Sequence, residues 1–102
     1  MRINDNYEFV CRLFAEHMAA CFPDECEDLE IAGVDLDELN GTVVGCVATF
    51  VGRCYQSVHE KELRRCREDL DAILPRISGY SLAYYTRLQK LVRLALEPGT
   101  EN

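Results

Sequence analysis

The chain has 102 residues, the usual size of one domain, and 48% of them are hydrophobic. That content excludes a disordered chain, and no apolar run approaches the roughly 20 residues needed to cross a bilayer. The net charge is −7 and uneven: residues 1–52 hold 11 acidic and 2 basic side chains, residues 53–102 hold 7 and 9. Such a field repels nucleic acid and anionic membrane and attracts basic surfaces. Neither direct nucleic-acid binding nor membrane association is therefore expected.

The opening residues Met1 to Asn6 lack the apolar stretch of a signal peptide, so the expected compartment is the cytosol. The six cysteines are then expected as free thiols rather than a disulfide framework.

In chain order, the first helix is predicted from about Asp5 to Phe22, capped by Asn4 or Asp5. Tyr7, Cys11, Phe14, Met18 and Cys21 recur at spacings of four and three. Pro23 ends this segment. Asp24 to Leu39 forms an acidic connector, in which Asp24 is expected to cap a short extra helix reaching Ile31. Asp35 with Glu38 resembles a capping box for the next helix. That second helix is predicted from Leu36 or Gly41 to Ser57. Its Val43, Val44, Val47, Phe50 and Val51 cover much of its circumference. A small-residue stripe of Gly41, Gly45, Ala48 and Gly52 runs beside them. Few charges and many apolar positions predict a central helix, with the stripe in close contact with a neighbour.

Ser57 and Glu60 have capping-box spacing for a third helix ending near Leu74. Its polar positions suggest i,i+4 pairs Arg64–Glu68, Arg65–Asp69 and Arg67–Asp71. Pro75 and Gly79 mark a turn. Ser81 is the expected cap of a fourth helix running to Leu96, with Tyr80 and Tyr85 as a staple and Leu94 exposed. Residues 96–102 are read as a loose tail. The fold expected is all-α: a single domain over residues 1–102, built as an antiparallel four-helix bundle with a short extra helix in the connector.

Chemistry-bearing patterns are sparse. His17 and Cys21 are one helical turn apart and Cys26 follows, a weak zinc pattern without any C-x-x-C. No metal site or cofactor is expected. Asp35-Leu36-Asp37 opens like a calcium loop, but its glycine comes one place late. Glu27-x-x-Glu30 and Glu68-x-x-Asp71 resemble the paired carboxylates of the all-helical nucleotide pyrophosphatases. That resemblance covers four residues and implies a small metal-dependent hydrolase. Ser78-Gly79-Tyr80-Ser81-Leu82-Ala83-Tyr84-Tyr85 resembles the tyrosine-pair segment of the colicin-nuclease immunity proteins, although here the helix continues past the pair.

The function expected is non-catalytic: binding, and inhibition or neutralisation, of a basic protein partner, as in immunity or inhibitor proteins. The residues expected to carry it are Asp24, Glu25, Glu27, Asp28, Glu30, Asp35, Asp37 and Glu38. A homo-oligomeric structural protein is the alternative, so the chain is expected as a monomer or homodimer.

Overall fold

A computed structural model describes residues 6–97. They are mostly helical: four helices packed together with one small antiparallel sheet of two short strands. The helices are α1 (Tyr7–Ala19), α2 (Leu36–Val51), α3 (Ser57–Ile73) and α4 (Gly79–Leu96). The strands β1 (Glu30–Ile31) and β2 (Val34–Asp35) lie between α1 and α2. The predicted caps Asn4 and Asp5, and most of the expected tail, lie outside the described residues.

The first helix ends earlier than predicted. Ala20 is already extended; in a continued helix the Pro23 ring would clash with the Ala19 carbonyl one turn back. Val10 and His17 are the buried positions of α1. The predicted stripe is thus rotated: Met18 is 56% exposed and Cys21 is exposed, while the true axis passes through Val10 and His17.

The connector corrects the expectation of a short helix to Ile31. One 3-10 turn, Asp24–Cys26, is followed by a hairpin pairing Glu30 with Asp35 and Ile31 with Val34. Ala32 and Gly33 both have positive φ, 54° and 78°, as a two-residue type I′ turn requires. Asp28 also has a positive φ, which stops the 3-10 turn from growing into a helix.

Asp35 caps α2 as predicted, accepting a hydrogen bond from the Glu38 amide at 3.1 Å. The helix runs straight through Asn40-Gly41 and stops at Val51, not Ser57. Gly52 is its last turn, and Arg53 takes the left-handed conformation at φ 63°. The Cys54 amide then bonds back to Thr49 and the Arg53 amide to Phe50, closing a Schellman-type end. The third helix is capped one residue earlier than expected: the Gln56 amide donates to His59 Nδ1 at 3.0 Å, in place of the Ser57–Glu60 pairing. On α3 the predicted pairs are replaced by Arg64–Glu60 and Arg65–Glu62, and Asp71 accepts from Gln89 of α4.

Ser78 rather than Ser81 precedes α4, so Ser81 falls inside the first turn and is buried. Tyr80 is exposed and makes no staple; its hydroxyl donates to the Cys21 carbonyl at 2.5 Å. Leu94, expected on the surface, is buried.

Helices α2 and α4 each pack against the other three, and α4 is the more interior by burial. It buries eight residues, among them Tyr84, Tyr85, Leu88, Leu91 and Val92. Helix α2, predicted to be central, buries a single face: Leu36, Leu39, Val43, Cys46, Val47 and Phe50. Its small-residue stripe lies on the opposite side. Gly41, Gly45, Ala48 and Gly52 are all exposed, and a Cβ added at Gly41 or Gly45 would meet nothing within 4 Å. Lack of charge on α2 therefore marks an uncharged surface rather than a second buried face. No helix among the described residues is long and apolar enough to cross a membrane.

Candidate functional site

The eight carboxylates of the connector and the first turn of α2 are all exposed. Tertiary contacts gather them where α2 and α4 begin. Cys26 is fully buried and its thiol donates to the Ser81 hydroxyl at 3.4 Å; that hydroxyl in turn donates to the Glu25 carboxylate. The Tyr85 hydroxyl, also buried, donates to the Leu36 carbonyl at 2.7 Å. With the Tyr80–Cys21 bond, these contacts hold the connector across the start of α4.

Part of the acidity there has a structural use. Asp35, Asp37 and Glu38 complement the positive end of α2. The first turn of α4 carries no acidic residue of its own, and Glu25 supplies one from the connector. The other carboxylates have no such role. Glu30 and Asp35 even stand directly opposite each other in the hairpin, where like charges cost stability. Among the described residues none of the eight forms an ion pair.

The acidic surface continues onto α3, which the sequence did not reveal. A cleft of about 170 Å³ lies between the hairpin, α2 and α3. Asp35, Glu38, Glu62 and Asp69 line it together with Arg65 and Cys66. The i,i+4 spacing assigned Asp69 to Arg65, but Arg65 instead turns back to Glu62 at 3.6 Å. Burial, assisted by Cys46 and the nearby carboxylates Glu62 and Asp69, pushes the Cys66 thiol up to about 12. It is therefore a packed wall rather than a nucleophile.

The weak zinc candidates do not converge. His17 has both ring nitrogens engaged, Cys21 is exposed, and Cys26 is committed to Ser81. Among the described residues no group of three or more His, Cys, Asp or Glu is placed to hold a metal ion. All six thiols are free. Of the paired carboxylates, Glu27 follows the 3-10 turn and Glu30 lies on β1, so they do not share a helix face. Glu68 and Asp71 are exposed on α3. Tyr84 and Tyr85 of the tyrosine pair are buried in the core.

A second polar cluster went unassigned in the sequence. His17 is 1% exposed. Its Nε2 lies 3.0 Å from Asn40 Oδ1 on α2, and its Nδ1 accepts from Arg87 Nε on α4 at 2.8 Å. The Tyr84 ring packs 4.3 Å from the imidazole, centroid to centroid. The hydrogen-bond partners of His17 lie 23 and 70 residues away and leave no local signal in the sequence.

No protein family, curated protein or solved structure matches the chain.

Proposed function

We propose that this is a non-catalytic binding protein whose acidic end docks on a basic protein partner, in the manner of immunity or inhibitor proteins. This reading takes the four helices as an antiparallel bundle that serves as a rigid support for the connector. The observation that carries it is that all eight carboxylates at this end are exposed and, among the described residues, none forms an ion pair, while Glu30 and Asp35 stand opposite each other. Clustered charge of one sign steers a complementary partner and raises its association rate. Glu62 and Asp69 extend the same surface onto α3.

The test is affinity capture from the native host with salt-gradient elution, followed by binding kinetics on the purified partner. The variant is Asp24→Asn, Glu27→Gln, Asp28→Asn and Glu30→Gln together. It should lower the association rate about tenfold at low salt and flatten its salt dependence. Unchanged rate and salt response in that variant would refute the reading.

A second reading is self-association. It is favoured by the exposed Gly41, Gly45, Ala48 and Gly52 face, which lets another helix backbone approach closely. A light-scattering concentration series distinguishes a homodimer from a monomer that awaits its partner.

A further inference from the structure

We propose that His17 is an acid-sensitive latch, whose protonation undocks the C-terminal turns of α1 from α2 and α4. Helix α1 is thinly anchored. It fully buries only Val10 and His17, whereas α2 buries six residues and α4 eight. Its N-terminal end is tied independently: the Tyr7 hydroxyl donates to the Val51 carbonyl at 2.5 Å, and Arg53 lies 4.1 Å over the Tyr7 ring. Toward its C-terminal end the half-buried Leu13 and Phe14 pack on the core, and His17 is the buried side chain of the last turn.

The hydrogen bonds determine the state of that imidazole. Arginine can only donate, so Nδ1 must be the bare nitrogen that accepts from Arg87 Nε. The proton is then on Nε2, which donates to Asn40 Oδ1. The ring is neutral and both of its nitrogens are used. An added proton can go only to Nδ1. There it would face the Arg87 N–H and place two cations side by side in a site that water scarcely reaches.

The charged group in contact with the ring is Arg87, and the carboxylate nearby, Asp37, is exposed to solvent. From α4 come Arg87 and the Tyr84 ring; from α2 comes Asn40, with the exposed Asp37 one turn before it. From the connector, Phe22 packs edge-on against Tyr84. Burial is the main influence and holds the imidazole below its ordinary value of 6.5; the Asn40 bond pulls it up and Arg87 pushes it down further. The sign follows. With the folded value depressed, the latch contributes fully above pH 6.5, and its contribution is lost as pH falls from there toward the folded value. The positive charge would suit the C-terminal end of the α1 dipole, but that effect is small beside burial next to a guanidinium. Because α1 leads directly into the connector, release also loosens the strand of chain that carries Asp24 to Asp28.

The experiment is hydrogen exchange on the full chain at pH 7.5 and 5.5, corrected for intrinsic exchange, with the His17 ring followed by NMR across the same range. Amides of Leu13 to Ala19 should lose protection relative to α3, by up to about tenfold at pH 5.5, the limit set by linkage one pH unit below 6.5. The loss should set in below pH 6.5 while the His17 ring of the folded chain is still neutral, and level off where that ring titrates. His17→Gln, which does not titrate, should abolish the pH dependence, and His59→Gln should preserve it. Should His17→Gln fail to fold, Arg87→Gln serves instead: with the neighbouring cation removed, the folded value rises toward 6.5 and the loss at pH 5.5 shrinks. Protection of α1 that is constant between the two pH values in the unmodified chain, or a loss that persists in His17→Gln, overturns the latch.

Discussion

Helix α4 and the acidic connector touch each other yet are held by opposite means. The helix is fixed by apolar burial on several sides, with Tyr85, Leu88, Leu91 and Val92 fully removed from water. The connector is fixed by a short series of polar ties to the start of that helix and by Cys26 and the half-buried Leu29, Ile31 and Val34. Eight of its residues and those of the adjoining turn are carboxylates facing solvent. Charge is concentrated where packing contributes least, so the electrostatic surface can change without disturbing the core. A surface of that kind is suited to recognition rather than to stability.

Leu88→Ala tests the α4 side of this contrast. Leu88 is fully buried, and its truncation should cost about 2–5 kcal/mol, read as a lower urea midpoint. A loss below 1 kcal/mol would mean that α4 is not the packed centre. On the connector side, Ala32→Asn should stabilise by about 0.5–1 kcal/mol, because asparagine tolerates the left-handed conformation that alanine adopts here at φ 54°. A decrease would show that the hairpin turn is not of this type. The smallest effect is expected for Glu30→Gln. Relief of its repulsion with Asp35 should stabilise by a few tenths of a kcal/mol at low salt and vanish at high salt.

Local rules read the helices well and the connector poorly. The capping of α2 by Asp35 followed from spacing within a single turn. The hairpin did not, because its turn uses Ala32-Gly33 rather than the Asn-Gly or Asp-Gly that announces a type I′ turn. Gly52 was read as part of the stripe of a helix reaching Ser57, yet α2 stops at Val51 and the left-handed residue is Arg53, where its guanidinium can stack over Tyr7. On α3 the i,i+4 spacing offered Arg65 a partner in Asp69, but Glu62 lay equally near on the same face.

The sequence by itself determined four helices and the concentration of charge in one connector. Periodicity and composition encode these directly, since each depends on neighbours within a turn or two. Only the tertiary structure decided that α4, not α2, is innermost and that the glycine face of α2 points to solvent. It also joined Glu62 and Asp69 to the acidic surface and placed His17 between Asn40 and Arg87. Each of these depends on which helices meet, and that is set by side-chain packing between residues distant in the chain.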